Sequence, residues 1–515
     1  MQRLARAKQK QFLTSLLLVL TGSLVASAQI TYPNPINHVI IIDQENRTTD
    51  NLFGSNSPSN QYYLPGLDVS TSGAAYTVAK GKKTVFSVPL VPEPLSSLVG
   101  VGDSEPGFDY DPGHSHTLWI DACDAPVETD PSNQCAMDGF NHVTITCDKG
   151  VTGCPGIEYP SYTYVQYSDV EPYFQIASEY GYANYMFQTN QGPTFPSHQF
   201  IFGGTSQPGT GVEPTWYVAE NGVDTSNGYG CSAAADTTVQ LVNPATQDEN
   251  IKIFPCFNHS SMADVFASAE PQITWTYYTP GPKSLVTAPN ALEELCTVGK
   301  GVCTGTYWTK GKANGYIDAI NPADILTDIS RCNLSQVSWV IPEGLQSDHA
   351  GETDGSGPSW VASIVNAIGE QPKCGDGEFY WNNTVILIIW DDWGGWYDHV
   401  VPPAVPSSAP SEASSYIYGF RVPLLVVSAY TPQGTVSNLM GLDFGAILKF
   451  TEEIFDLGNI PPGNYVDSFA YDDLGEFFQF DTPPRSFAPI NAPLEPEVFL
   501  DPNRPMTPPD NDDLD

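Results

Sequence analysis

The sequence predicts an α/β protein with a mainly parallel central sheet and helices on both faces. Two segments dominated by consecutive apolar residues, Val385–Trp390 and His38–Asp43, have the composition of strands that are buried on both sides. Further strand patterns alternate with helical patterns along the chain, and this alternation is typical of parallel sheets. The 515 residues suffice for one large domain or two of ordinary size.

The spacing of apolar residues predicts the remaining elements. Short apolar runs predict strands, whereas apolar residues that recur every three or four positions predict helices. Residues 55–110 are rich in Ser, Gly and Pro, and we expect them to form surface loops. In chain order, the other predicted elements are a helix at Glu171–Tyr182, a strand at Ala183–Phe187, a helical pattern from Phe257 to Phe266, strands at Ile273–Tyr278 and Val337–Ile341, a helix at Trp360–Ile368, a strand at Val422–Ser428 and a helix at Gly445–Phe455.

Both ends of the chain differ in composition from its middle. Residues 1–28 combine a basic start, a short apolar core and a small-residue site at Ala26–Ala28, which are typical of a secretory signal peptide. We therefore expect residues 29–480 to form a single domain that is secreted or periplasmic. We expect no integral membrane segment after cleavage, since no later stretch is long and apolar enough to span a bilayer. Residues 481–515 form a proline-rich acidic tail.

The charge of the chain excludes some classes of partner. The sequence has 20 Lys and Arg residues against 59 Asp and Glu residues, which gives a formal net charge of −39. Such a surface repels nucleic acids and anionic membranes at neutral pH, so we expect no nucleic-acid partner. The composition leaves the oligomeric state open.

The cysteines favour disulfide bonds. There are 10 cysteines, and an even number in an exported chain is typical of disulfide pairing. Two pairs, Cys147 with Cys154 and Cys296 with Cys303, enclose short segments that contain glycine, so each pair is able to close a local loop. Zinc binding is the alternative, but no pair has the two-residue spacing of a zinc knuckle.

Polar residues follow both buried strands at the point where each strand ends. Asp391 and Asp392 follow one strand, and Glu45 and Asn46 follow the other. Open α/β sheets bind ligands beyond the carboxyl ends of their strands. Two adjacent carboxylates repel each other unless a cation or a proton lies between them. The alternative interpretations are an acidic turn at Asp391 and a helix cap at Asn46.

Three other residues are candidates for catalysis. Thr194 lies in a Gly-Pro-Thr-Phe-Pro turn that would hold its hydroxyl rigidly. A threonine hydroxyl becomes a nucleophile only with a metal or a base to activate it. His116 follows His114 in a loop with three acids, and His349 follows the pair Ser347-Asp348. The alternative interpretation is an ordinary Gly-Pro turn with structural histidines.

Four separated segments together resemble the bacterial phosphoesterase family, which contains non-specific phospholipases C and exported acid phosphatases. These segments are Asp43–Gly54, Gln191–His198, Ser347–Ala350 and Trp390–Pro403, and Phe420–Ser428 is similar to the strand that follows. Their order and spacing are similar to those of the family from about His38 to Gly458, which is most of the chain. Each motif alone is moderately specific, but the ordered set is highly specific.

The resemblance implies an alkaline-phosphatase-like fold with one divalent metal ion. The residues that stand at the family's metal-ligand positions are Glu45, Asn46, Asp391, Asp392 and Thr194. Thr194 also stands at the position of the nucleophile. His349 and, in a more divergent loop, His116 stand where the family has histidines near the scissile phosphate.

The chemistry of these residues agrees with that resemblance. A phosphate ester resists attack because its own oxygens repel nucleophiles, and a divalent cation would neutralise that charge and lower the pKa of the Thr194 hydroxyl. All the expected ligands are oxygens, which favours Mg²⁺ or Ca²⁺, with manganese or iron as alternatives. His116 and His349 would donate to phosphate oxygens or protonate the leaving group.

We expect a phospholipase C-like phosphoesterase, and two other functions are compatible with the same residues. The first is an acid phosphatase that acts on phosphomonoesters, and the more remote one is a non-catalytic binding protein with this fold. Near the expected site, Trp393, Trp396 and Tyr397 would either stack on a choline headgroup by cation–π contact or pack in the core. These two interpretations of the aromatic side chains are equally supported by the sequence.

Overall fold

The computed structural model describes residues 34–96, 110–125, 135–147, 158–209, 217–222, 228–243, 249–371, 373–374, 377, 379–409 and 417–509. The predicted signal peptide, Cys154 and the acidic end of the tail lie outside the described residues.

The described strands and helices follow the chain in this order. The strands are β1 (His38–Gln44), β2 (Ser72–Ala79), β3 (Lys82–Pro89), β4 (Val91–Glu93), β5 (Tyr110–Pro112), β6 (Ile145–Cys147), β7 (Thr163–Val165), β8 (Gly181–Ala183), β9 (Tyr217–Gly222), β10 (Val239–Val242), β11 (Ile251–Ile253), β12 (Trp275–Tyr278), β13 (Thr297–Gly299), β14 (Val302–Thr304), β15 (Gly315–Asp318), β16 (Val337–Val340), β17 (Thr384–Trp390), β18 (Leu424–Ser428) and β19 (Thr435–Ser437). The α-helices are α1 (Thr49–Phe53), α2 (His116–Cys123), α3 (Tyr167–Glu179), α4 (Thr194–Gly203), α5 (Met262–Ser268), α6 (Asp324–Ser330), α7 (Gly357–Glu370), α8 (Phe444–Ile454) and α9 (Val466–Phe469). Short 3₁₀ helices lie at Phe140–His142, Ala288–Ala291, Gly344–Gln346, Tyr380–Asn383, Gly475–Phe477 and Pro496–Val498.

The largest sheet of the described chain has eight strands in the order β15-β12-β16-β1-β17-β18-β8-β19. The five strands from β15 to β17 are parallel to one another, β18 is antiparallel to both of its neighbours, and β19 is parallel to β8. Seven of the eight strands therefore run in one direction, which confirms the predicted α/β class with a mainly parallel sheet.

Helices cover both faces of this sheet. On one face, the ring of Phe202 in α4 lies 5.0 Å from the ring of Trp339 in β16. On the other face, the ring of Tyr173 in α3 lies 5.0 Å from the ring of Trp390 in β17. Trp339 and Trp390 point to opposite faces, because Trp339 is aligned through β1 with Leu387, three residues before Trp390. Coverage on both sides explains why β1 and β17 are apolar without alternation.

The structure corrects several predicted elements. The stretch 55–110 is not made only of surface loops, because β2 and β3 form a hairpin within it. The turn of that hairpin is Lys80-Gly81, and both residues have positive φ (53° and 75°), as two-residue hairpin turns require. The helical pattern that begins at Phe257 becomes a helix only at Met262, because Ser261 forms a capping box with Asp264.

The predicted boundaries of two further elements also differ from those in the structure. The helix predicted to reach Tyr182 ends at Glu179, and β8 already begins at Gly181. The predicted strand Ala183–Phe187 is largely irregular, since β8 ends at Ala183 and only isolated bridges follow.

The register of the two central strands positions the predicted ligands. β1 pairs in parallel with β17 so that Gln44 is opposite Trp390. The backbone N–H of Asp391 continues this pairing by donating to the Gln44 carbonyl at 2.9 Å. The strands end together, so the polar residues that follow each of them meet at one edge of the sheet.

A buried ion-pair network joins α1 to the segment that follows β17. Arg421 is fully buried and donates to both carboxyl oxygens of Asp398 at 3.0–3.1 Å and to Asp50 at 3.4 Å. His399 Nδ1 lies 2.7 Å from the other oxygen of Asp50. Burial lowers the pKa of His399, but the hydrogen bond and charge of Asp50 outweigh it and raise that pKa to about 8. Two positive side chains thus face two buried carboxylates, and the partly exposed Asp68 lies 3.2 Å from His399 Nε2 as a third acid. The network fixes the two motifs relative to each other.

Disulfides close four loops among the described residues. They join Cys123 to Cys135, Cys231 to Cys256, Cys296 to Cys303 and Cys332 to Cys374. The local loop predicted for Cys296 and Cys303 is therefore confirmed. The partner proposed for Cys147 lies outside the described residues.

The tail packs on the rest of the molecule over its described part. Phe499 is buried against Trp360 of α7, and Arg504 donates to Glu343 at 3.1 Å and to Asp354 at 3.0 Å. Across the described ranges, we find no helix with both the length and the apolar composition needed to cross a bilayer.

Replacing Arg421 by Met should destabilise the protein by about 3–5 kcal/mol, because two buried carboxylates lose their positive partner. The matched control is Lys310→Met, whose half-exposed ion pair with Asp328 should contribute less than about 1 kcal/mol. The measurement is urea denaturation followed by circular dichroism. Equal small losses in both variants would contradict a stabilising role for the network.

Candidate functional site

Residues that follow β1 and β17 interlock at the edge of the sheet. The backbone N–H of Asn46 donates to Asp391 Oδ1 at 3.0 Å, and the N–H of Asp392 donates to the same oxygen at 2.7 Å. Glu45, Asn46, Asp391 and Asp392 are all fully buried. The structure therefore brings together the four ligand candidates that the sequence predicted from two segments.

Thr194 joins this cluster from a third segment. It is the first residue of α4, directly after Pro193, which occupies the N-cap position. Its hydroxyl oxygen lies 3.2 Å from Asp392 Oδ2 and 3.4 Å from Glu45 Oε2. The N-terminus of a helix favours negative charge, so the surroundings of Thr194 suit an anion as well as a cation.

Burial and mutual repulsion make the carboxylates of this cluster reluctant to ionise. Burial, followed by the negative charge of Asp391, raises the pKa values of Asp43 and Glu45 well above their ordinary range. Burial also raises the pKa of Asp391 to about 6, although hydrogen bonds from Asn46, Thr194 and Asp392 oppose the shift. These groups have the environment in which a bound cation would restore the ionised form.

Unpartnered oxygen atoms support a cation in the same place. Asp391 Oδ2 and Asp43 Oδ1 are buried and accept no hydrogen bond from the described residues. Buried polar atoms are normally paired, and an ion is one of the recognised reasons for an exception. The donor set of carboxylate, amide and hydroxyl oxygens fits a divalent metal ion.

The orientation of the Asn46 side-chain amide also indicates a cation. With its oxygen turned toward the carboxylates, that oxygen lies 3.0 Å from Asp391 Oδ1 and 3.3 Å from Asp392 Oδ1, where only a cation between them would be favourable. With the oxygen and nitrogen exchanged, the NH₂ group donates to both carboxylates, and the oxygen accepts from His349 Nε2 at 2.9 Å. A metal ion would therefore select the first orientation of the amide.

Close packing of the Gly394 backbone against the Asn46 backbone holds Asn46 in this position. Asn46 has a φ of 59°, and Gly394 has a φ of 56°. A Cβ atom on Gly394 would lie 2.2 Å from the carbonyl oxygen of Asn46. This distance is too short for any residue with a side chain, so the position requires glycine. The Gly394 N–H also donates to Asp392 Oδ1 at 2.7 Å. Gly394 thus lets the two ligand segments meet.

The structure places His349 beside the cluster but His116 at its margin. His349 Nε2 lies 2.9 Å from the side-chain amide of Asn46. His116 hydrogen-bonds with Glu249 and, at 3.0 Å, with Gln191. Gln191 lies three residues before Thr194 in the sequence. His116 therefore contacts the turn that carries Thr194, and its catalytic role stays a prediction.

Sequence reasoning passed over His114, which lies closer to the carboxylates. Its Nδ1 lies 3.1 Å from the Pro112 carbonyl, and its Nε2 lies 3.8 Å from Asp392 Oδ2. The sequence showed two histidines one residue apart in the same loop. Only the path of β5 and the turn after it decides which ring faces inward.

The sequence also did not identify His198 as a site residue, although its spacing from Thr194 was a usable indication. His198 is fully buried on α4, and its Nε2 lies 3.4 Å from Glu45 Oε1. It stands four residues after Thr194, so the two side chains lie on the same face of one helix. Burial lowers the pKa of His198 to about 3.

The aromatic residues after β17 belong to the core. Trp393 and Tyr397 are buried against Phe140, with ring centroids 5.8 Å and 5.0 Å away. Trp396 is buried beneath the guanidinium group of Arg47, which lies 4.9 Å from its ring. Of the two interpretations that the sequence left open, the structure favours core packing.

The sequence of this chain is similar to those of known proteins. A sequence model of the Phosphoesterase family matches residues 36–458. Hemolytic phospholipase C of Pseudomonas aeruginosa is 24% identical over 471 residues, covering 86% of this chain and 57% of that protein. Phospholipase C A of Mycobacterium tuberculosis is 28% identical over 190 residues, covering 34% of this chain and 35% of that protein. The matched segments thus span only about a third to about half of the relatives' own length.

One solved structure is weakly similar. It is a protein of the alkaline phosphatase superfamily from Vibrio parahaemolyticus, with 10% sequence identity and a TM-score of 0.30 over 60% of this chain and 64% of that chain. A similarity at this level supports no inference about activity.

Replacing Gly394 by Ala should weaken metal binding by about 10- to 100-fold, because the added methyl group pushes Asn46 away from Asp391. The matched control is Gly463→Ala, since Gly463 has a φ of 84° but nothing within 4 Å of an added Cβ. Mn²⁺ titration by calorimetry after chelation measures the effect. An unchanged affinity in Gly394→Ala would contradict the close approach.

Proposed function

We propose that this chain, which belongs to the phosphoesterase family, is a metal-dependent phosphoric ester hydrolase with Thr194 as its nucleophile. The observation that carries the proposal is the position of the Thr194 hydroxyl, 3.2 Å from Asp392 and 3.4 Å from Glu45 within a buried carboxylate cluster. A threonine with a purely structural role would have no need of two buried carboxylates within hydrogen-bonding distance of its hydroxyl.

The residues that would hold the metal ion are Glu45, Asn46, Asp391, Asp392 and Thr194. When bound, a divalent ion supplies positive charge that neutralises a phosphate group and stabilises the ionised oxygen of Thr194. The carboxylates Asp392 and Glu45 fix the direction of the hydroxyl and are placed to take its proton before the attack.

Thr194 would then attack phosphorus in line with the leaving group. This step forms a bond between the threonine oxygen and phosphorus and releases the alcohol of the ester. The positive end of α4 would stabilise the charge on the phosphate oxygens. Water would hydrolyse the resulting phosphothreonine and regenerate the hydroxyl.

The histidines around the cluster would handle protons and phosphate oxygens. His349 Nε2 lies 2.9 Å from the Asn46 amide. Its ring would therefore be close to a phosphate group bound beside the metal ion. We assign it to hydrogen bonding with phosphate oxygens or to protonation of the leaving group. We keep His116 in the second of these roles, with Gln191 as its link to the nucleophile turn.

The substrate we propose is a phosphodiester of the phospholipid class, which makes the protein phospholipase C-like. The support is that the similar proteins from Mycobacterium tuberculosis and Pseudomonas aeruginosa are phospholipases C by name. The buried aromatic residues provide no choline-binding surface, so selectivity for the headgroup would come from other parts of the site. Hydrolysis of phosphomonoesters is the competing activity.

We also propose that the protein is exported. The composition of residues 1–28 supports a signal peptide. Four disulfides among the described residues support an oxidising compartment, because cytosolic thiols are kept reduced.

Replacing Thr194 by Ala should lower kcat for p-nitrophenyl phosphorylcholine by at least about 1,000-fold, because the nucleophile is lost. Thr194→Ser should retain much more activity, since it keeps the hydroxyl. The control is Thr451→Ala, whose hydroxyl bonds the Ile447 carbonyl within α8. Thr194→Ala with the rate of the wild-type protein would exclude Thr194 as nucleophile.

Assays on phosphatidylcholine and on p-nitrophenyl phosphate should separate the two substrate classes. The protein is first stripped with a chelator and then given back Mg²⁺, Mn²⁺ or Ca²⁺. We expect metal-dependent hydrolysis with a higher kcat/KM for the phosphodiester, since the named relatives are phospholipases. A higher kcat/KM for the phosphomonoester would establish the phosphatase instead.

A further inference from the structure

We propose that His198 is a nitrogen ligand of the metal ion in this site and that Asp43 is the positioning residue that orients its ring. The inference rests on the proposed function, because that function places the ion among the carboxylates. It adds an imidazole to a ligand set that the sequence predicted to be all oxygen. It also gives a role to Asp43, which the proposed reaction does not use.

The surroundings of the ring place its proton on Nδ1. Nδ1 lies 3.2 Å from Asp43 Oδ2 and 3.5 Å from the Tyr277 hydroxyl oxygen. Tyr277 donates its own proton to the Val286 carbonyl at 2.8 Å, so its oxygen is free to accept. With Asp43 in the ionised form that a bound cation would restore, both neighbours of Nδ1 are acceptors, and a proton on Nδ1 satisfies them.

The opposite nitrogen then carries a lone pair that faces other acceptors. His198 Nε2 lies 3.4 Å from Glu45 Oε1 and 4.0 Å from Asp391 Oδ2. A lone pair opposite two carboxylate oxygens is unfavourable unless something positive lies between them. A metal ion in that space would turn three repelling atoms into three ligands.

The distances fit a shared ion. Metal–nitrogen and metal–oxygen bonds are about 2.0–2.2 Å long, so two ligands of one ion lie roughly 3 to 4 Å apart. The separations of Nε2 from the oxygens of Glu45 and Asp391 fall in this range. The three residues also form a group whose ligand atoms all lie within 4.8 Å of one another.

Asp43 has the position of an outer-sphere carboxylate. It is fully buried at the end of β1, and its Oδ2 lies 3.2 Å from His198 Nδ1. Histidines that bind metals commonly give their other N–H to a carboxylate, which fixes the ring and raises its basicity. The end of β1 therefore supplies both a metal ligand, Glu45, and the group that orients another ligand on α4.

This ligand set changes the metal that the site prefers. Carboxylate and carbonyl oxygens suit Mg²⁺ and Ca²⁺, whereas imidazole suits iron, cobalt and zinc. We infer a preference for a divalent transition metal over Mg²⁺, which departs from the preference expected for oxygen ligands alone.

Co²⁺ and Mg²⁺ binding to full-length protein stripped of metal tests the proposal without any substrate. Co²⁺ is followed by its visible absorption, and Mg²⁺ by competition against Co²⁺. In His198→Asn we expect the Co²⁺ Kd to rise by at least about 100-fold and the Mg²⁺ Kd by less than about 3-fold. Asp43→Asn keeps the ring and should raise the Co²⁺ Kd by about 10- to 100-fold.

The matched control is His259→Asn, because His259 is buried beside Gly203 at the end of α4 and its Nδ1 bonds the Ser260 carbonyl at 2.8 Å. It should leave both dissociation constants unchanged. Circular dichroism of each variant checks folding. Equal rises for Co²⁺ and Mg²⁺ in His198→Asn would mean that His198 only shapes the pocket, and this result would overturn the proposal.

Pulsed electron paramagnetic resonance gives a direct readout. The Mn²⁺-loaded wild-type protein should show a histidine nitrogen coupling that is lost in His198→Asn and retained in His259→Asn. A coupling that persists in His198→Asn would overturn the assignment. Neither readout depends on hydrolysis, so either could fail while Thr194 remains the nucleophile, and a fully active Thr194→Ala would reject the function without affecting them.

Discussion

The repulsion among buried carboxylates at the ends of β1 and β17 is the constraint on which this structure depends. Asp43, Glu45, Asp391 and Asp392 have no exposed surface, and the pKa values of the first three are raised. Burial of several like charges is unfavourable without an opposite charge, because the interior screens them poorly. The fold tolerates the cluster only because strong backbone pairing holds the two strand ends together, and a cation would relieve the repulsion that remains.

The surrounding structure separates this cluster from other charges. Arg421 neutralises Asp50 and Asp398 in a network of its own, at the far ends of the same two motifs. The motif after β1 thus contributes Asp50 to the ion pairs and Glu45 to the proposed metal site. The motif after β17 contributes Asp398 to the ion pairs and both Asp391 and Asp392 to the proposed metal site. This division of roles would explain why both motifs are rich in acids although only some of these acids are proposed ligands.

The helix α4 carries both the proposed nucleophile and a proposed ligand of the metal ion. Thr194 and His198 are one turn apart on α4, so a single rigid element would position both the attacking oxygen and a nitrogen ligand. The phosphate would meet the positive end of the same helix. Because the aromatic residues nearby are packed in the core, the proposed site would recognise the phosphate ester but provide little selectivity for the alcohol attached to it. Substrate class would then be decided by groups around the rim.

The sequence by itself determined the α/β class, the central strands and the residues that follow them. Those features are local, since an apolar run covered on both faces and an acid at its end are visible in a few consecutive letters. It did not determine the hairpin at β2 and β3, whose turn signal is weak, nor the choice of His114 over His116, which depends on the path of a loop. Only the tertiary structure brought Asp43 and His198 together, because their contact joins a strand to a helix about 150 residues later and leaves no periodic trace in the sequence.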